Sequence, residues 1–189
     1  MDEEAKKRIL MNDEVKTEVL FAAHRGFGEQ MGGAVASTNL QGWWYSGPLV
    51  KEEKREAYAK EMGDSATWGL KFAKLDSFSD EFICKLPLEK ALEHIINLIP
   101  EMPGGGYNKH KGGQVLETAN DSREGALAAV VGSGWSNMNF AVVTMLFSAV
   151  DANSTKISIT ATAKESKIPF CNQKTAKKAA ARIISSFAG

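Results

Sequence analysis

The segment Asn139–Val150 carries apolar side chains on both sides of what reads as a single strand. Successive side chains of a strand point to opposite faces. Phe140, Val142, Leu146 and Val150 fall on one side, and Ala141, Val143, Met145 and Phe147 on the other. An antiparallel strand with one wet face alternates apolar and polar residues instead. Lys156–Ala163 does so, with Ile157, Ile159, Ala161 and Ala163 opposed to Ser158, Thr160 and Thr162. The first of these strands therefore demands cover on both faces. One cover is a helical layer; the other is the N-terminal helices, a ligand or a partner subunit.

The surrounding pattern supplies the layer. Phe78–Leu86 reads as a strand, and Pro87 suits the start of a helix. Leu88, Ala91, Leu92, Ile95, Leu98 and Ile99 then form one apolar helical face that ends at Pro100. Gln114–Thr118, Gly125–Val131, Asn139–Val150 and Lys156–Ala163 are strands. The turns between them, at Asn120-Asp121, Gly132-Ser133-Gly134 and Asp151–Ser154, are short enough to imply antiparallel hairpins. A last helix spans about Gln173 to Phe187, with Ala176, Ala179, Ala180, Ile183, Ile184 and Phe187 on its buried side. The fold class is α+β: an antiparallel sheet, in the order strand, helix, four strands, helix, packed on two helices.

Residues 1–77 form an N-terminal helical and glycine-rich segment, and 78–189 the sheet domain. Ile9, Val15, Val19, Ala22 and Ala23 predict one thin amphipathic helix over 3–24. Gly26, Gly28, Gly32 and Gly33 follow, then an aromatic turn at Gln41–Pro48. Lys51–Met62 reads as helix, with Gly63 as its stop, Asp64 as the next N-cap and a short helix over Ser65–Leu75.

The order from Phe78 onward resembles the helix-grip arrangement of Bet v 1-like and START-like domains, in which a C-terminal helix crosses a curved antiparallel sheet. It is also similar to small bacterial α+β domains that end in a strand, a polar turn and an amphipathic helix. Here that ending is Lys156–Ala163, Phe170-Cys171-Asn172-Gln173-Lys174 and the final helix. The resemblance covers about 110 residues. It implies a fold that often encloses apolar ligands.

Charge and cysteine content narrow the function. Lys plus Arg equals Asp plus Glu, 23 each, and this lack of basic surplus argues against nucleic-acid binding. Cys84 and Cys171 are too few for a secreted disulfide framework. The acidic start, Met1-Asp2-Glu3-Glu4, has no apolar signal core, and no apolar run is long enough to span a bilayer. The cytoplasm is the expected location.

No catalytic constellation appears. Gly26-Phe27-Gly28 with Gly32-Gly33 departs from the dinucleotide fingerprint and reads better as a helix end or a close helix–helix contact. His24, His94 and His110 lack metal-ligand spacing. No cofactor is expected. Cys171 precedes a helix, where a thiol can be activated, but it lacks a sequence-near histidine. Lys109, His110 and Lys111, beside Gly104–Gly106, are candidate anion-binding residues. Trp43, Trp44, Tyr45 and Trp135 stand in turns and are candidate ligand- or partner-binding residues. The function expected first is a non-enzymatic binding or self-assembly module, as a homo-oligomer or with a protein partner. The alternative is a small apolar-ligand carrier or helix-grip-type enzyme.

Overall fold

The computed structural model describes residues 1–37, 52–103, 112–133, 139–165 and 174–188. Helices α1 (Glu3–Leu10), α2 (Asp13–Ser37) and α3 (Glu52–Trp68) lead through a 3-10 turn, Gly69–Phe72, into strand β1 (Lys74–Cys84). Helix α4 (Leu88–Leu98) follows. Strands β2 (Gln114–Asn120), β3 (Glu124–Ser133), β4 (Asn139–Asp151) and β5 (Ser154–Glu165) precede helix α5 (Thr175–Ser185). The strands form one antiparallel sheet in the order β1-β5-β4-β3-β2. The α+β class and the sequence order of its sheet unit are as expected.

The sheet has two unlike faces. On the inner face, Leu127, Ala129, Val131, Ala141, Val143, Met145, Phe147, Ile157, Ile159, Ala161 and Ala163 pack under α4 and α5 and are buried. Residue size is graded along this face. Phe147, Ile157 and Met145 lie toward the β4–β5 turn, while Ala141, Ala163 and Ala161 lie toward the other end, under Ala176, Ala179 and Ala180 of α5.

The outer face explains the doubly apolar strand. Leu20 of α2 packs with Val130, Phe140 and Val142, and Ile9 of α1 packs with Ala126 and Ala128. The second cover is therefore the chain's own N-terminal helices. They lie over β3 and β4, and the other half of this face is polar: Ser77 and Thr162 share a hydrogen bond, as do Ser79 and Thr160. The cover reaches Phe140 and Val142 but not Val150, which the sequence places on the same apolar side and which is 55% exposed near the β4–β5 turn.

Three boundaries differ from the sequence reading. The expected helix over 3–24 is two helices. Met11 takes a left-handed φ of 51°, and the Asn12 carboxamide accepts a hydrogen bond from Val15 N at 2.8 Å, starting α2 afresh. Helix α2 then continues through the glycines to Ser37, and α3 runs through Gly63 to Trp68 instead of stopping there. The reason is mutual: a Cβ at Gly28 would come within 2.9 Å of Gly63 Cα, so the two glycines allow α2 and α3 to touch backbone to backbone. Finally, the separate helix expected over Ser65–Leu75 is the end of α3 followed by the 3-10 turn Gly69–Phe72, and β1 takes its last two residues, running from Lys74 to Cys84 in place of Phe78–Leu86. Pairing with β5 overrides the local pattern, since Lys74 stands opposite Glu165.

Candidate functional site

The aligned ends of three strands place polar residues where the inner face is otherwise apolar. Ser133 pairs with Asn139, and the register that sets Ala141 opposite Ala163 carries Asn139 opposite Glu165. Alternation turns all three toward α5, on the face of Val131, Ala141 and Ala163. The row lies beneath the first turn of α5.

The hydrogen bonds join this row to the helix. Glu165 is 3% exposed, and its Oε1 accepts from the backbone N–H of Thr175 at 2.5 Å. Lys174, at the N-cap position, has a left-handed φ of 52° and makes no side-chain cap. A carboxylate borrowed from β5 thus does the work of a cap, and its charge complements the positive end of the helix dipole. Asn139 Nδ2 donates to Thr175 Oγ1 at 3.3 Å, and Arg182 Nη1 donates to the Gly132 carbonyl at 3.4 Å. Ser133 is the exception. Its hydroxyl is completely buried and has no hydrogen-bond partner among the described residues. Such a group normally finds a partner, because an unpaired buried hydroxyl costs about 1–3 kcal/mol.

Chain connections converge on this end. Gly112 and Gly113 donate to the Met102 carbonyl, and Gly132 donates to that of Pro103 at 2.6 Å. Pro103 therefore lies beside Gly132 at the end of β3, and Gly112 and Gly113 beside Met102. The segment bearing Trp135 joins Ser133 to Asn139, and that bearing Cys171 joins Glu165 to Lys174. Trp43, Trp44 and Tyr45 lie between α2 and α3. All of these candidate residues, Trp43, Trp44, Tyr45, Trp135, Lys109, His110, Lys111 and Cys171, fall outside the described residues. Cys84 is buried in the core as a free thiol.

Sequence reasoning passed over the row itself. Ser133 reads as a turn residue and Asn139 as the first residue of a strand, while Glu165 falls beyond the end of the expected strand Lys156–Ala163. Only the strand register, which brings the three together, sets them apart. The available signal is their placement at matching ends of three apolar strands.

Two other features stand near this end. Trp68 and Phe72 meet edge to face at 5.3 Å and are 65% and 62% exposed. Trp68 also borders an open groove of about 460 Å³ with Lys60, Glu61 and Asp64. On the outer face, His24 is 6% exposed and lies edge-on to Phe140 at 4.9 Å, with no partner for Nε2. Burial pushes the imidazole pKa down to about 4. Among the described residues, no group of three His, Cys, Asp or Glu side chains is placed to hold a metal ion. No described helix is long and apolar enough to cross a membrane.

No protein-family model matches the chain, and no curated protein matches it. Solved structures similar in fold include that of Ara h 8.0201, at 15% identity and TM-score 0.36, over 60% of this chain and 95% of that one. The Zhui aromatase/cyclase from Streptomyces sp. R1128 is similar at 9% identity and TM-score 0.27, over 60% of this chain and 84% of that one. The di-domain ARO/CYC BexL of the BE-7585A biosynthetic pathway is similar at 9% identity and TM-score 0.25, over 71% and 52%.

Proposed function

We propose that the protein is a non-enzymatic binding module that takes a small molecule with an apolar body and a neutral polar head at the α5 end of the inner sheet face. The observation that carries this reading is the buried, unpartnered Ser133 hydroxyl within a row that also holds Asn139 and Glu165. A hydroxyl can both donate and accept, so it suits an alcohol or carbonyl head. The alanines at this end of the sheet and on α5 supply an apolar wall of small side chains for the apolar body.

A second reading, self-assembly or a protein partner, is favoured by the exposed Trp68–Phe72 pair. Large exposed aromatics beside a groove are typical anchors of protein interfaces.

One experiment serves both. Native mass spectrometry of gently purified chain is predicted to show a bound small molecule, whose occupancy falls severalfold in Ser133→Ala and is unchanged in Trp68→Ala. A dimer that Trp68→Ala dissolves, with no small molecule retained, supports the second reading instead. A bare monomer whose melting temperature is unmoved by medium-chain alcohols or ketones contradicts both.

A further inference from the structure

His24 occupies the seam between α2 and the sheet, amid Leu20 and Phe27 of α2, Val130 of β3, Phe140 and Val142 of β4, and Leu75 of β1. Its Nε2 is buried and meets no acceptor. The charged groups around the seam are engaged elsewhere. Arg25 of α2 is paired with Asp64 of α3. Lys164 of β5 lies over the Phe21 ring and donates to the Ala73 carbonyl at 3.4 Å. On the far face of β5, Glu165 caps α5. Neither β3 nor β4 offers a carboxylate here: Glu124 and Asp151 lie at the opposite end of those strands.

We infer that His24 is a proton-operated latch: a proton on its ring releases α2 from the sheet and bares the apolar outer face of β3 and β4. Protonation adds an N–H donor and a charge in a place where the described residues supply neither acceptor nor counter-charge. An unpaired buried charge is relieved by exposing it to water. The inner core does not depend on this seam. Its packing under α4 and α5 forms a separate cluster, so the sheet keeps one covered face when α2 lifts.

The direction follows from linkage. The docked imidazole titrates near 4, and the undocked one near its ordinary 6.5. Docking is therefore at full strength above pH 6.5. It weakens about tenfold per pH unit as pH falls from 6.5 toward 4, about three-hundredfold in all.

Hydrogen exchange of the full chain, corrected for the intrinsic pH dependence, tests this. Between pH 7.5 and 4.5 the opening of the α2 amides is expected to rise by about two powers of ten. The β4 and β5 amides should stay protected, and anilinonaphthalene sulfonate fluorescence should rise in parallel. His24→Phe keeps an aromatic ring against Phe140 but cannot titrate, and should flatten the α2 profile. His24→Gln serves as a second non-titrating variant if the first misfolds. The latch is refuted if α2 opens with the same pH profile in wild type and variant, or only together with β4. It is equally refuted if the His24 imidazole, followed by NMR in the intact chain, titrates near 6.5.

Discussion

A Cβ at Gly28 would meet the Met62 carbonyl oxygen at 2.7 Å and the Ala66 Cβ at 2.8 Å. These atoms belong to a facing helix, and neither can swing aside. The gain in helix propensity from Gly to Ala, about 1 kcal/mol, is outweighed by forcing two helices apart. Gly28→Ala is expected to lower stability by about 1–3 kcal/mol, read as a fall in the urea midpoint at unchanged slope. Gly26, one helical position pair earlier, has nothing within 4 Å. Gly26→Ala should therefore raise stability by about 0.5–1 kcal/mol in the same assay. Opposite signs at two glycines of one helix distinguish a packing role from a conformational one. The sequence shows glycines at both places and cannot tell them apart, because the difference lies in Gly63, far along the chain. For the same reason Gly63 reads locally as a helix stop.

At the scale of elements, the strands and α4 are legible because each obeys a period that burial imposes. Ile157, Ile159, Ala161 and Ala163 recur at two, and Leu88, Ala91, Leu92 and Ile95 at three and four. The break between α1 and α2 falls in the six-residue step from Ile9 to Val15, which matches neither three nor four, and the helical spacing resumes with Val15 and Val19. Asn12, followed by Asp13 and Glu14, is the signal that marks it, a cap with acids in the next turn. Each short helix has its own contact. Ile9 is fully buried between α1 and Ala126 and Ala128, and Arg8 holds Glu117 of β2 at 2.5 Å. That ion pair is exposed and adds little; the isoleucine is the anchor. Ile9→Ala is predicted to cost about 2–5 kcal/mol by equilibrium unfolding, and Arg8→Ala to leave the urea midpoint nearly unmoved. Both sheet edges are guarded against pairing with another chain. β1 carries Asp76, Asp80 and Glu81, and β2 has a bulge between Val115 and Glu117. Assembly by strand addition is thereby disfavoured, and Trp68 and Phe72 are left as the better place for a protein partner.

For the whole molecule, the decisive fact is that a sheet with two apolar surfaces is closed on both sides by one chain. Helices α4 and α5 take the inner face, and α1 and α2 the apolar half of the outer one. The need for a second cover is legible from β4 alone. Its source is not, since periodicity tells which residues are buried and never against what. The same holds for the polar row at the α5 end: Ser133, Asn139 and Glu165 become neighbours only once the register of three strands is set. Isotope-filtered NMR tests the central claim most directly, by comparing uniformly labelled protein with an equal mixture of labelled and unlabelled chains. Contacts from Leu20 and His24 to Phe140 and Val142 are predicted to appear within the labelled chain and to be absent between labelled and unlabelled ones. Finding those contacts only between chains, or in neither sample, would contradict a sheet closed by its own N-terminal helices.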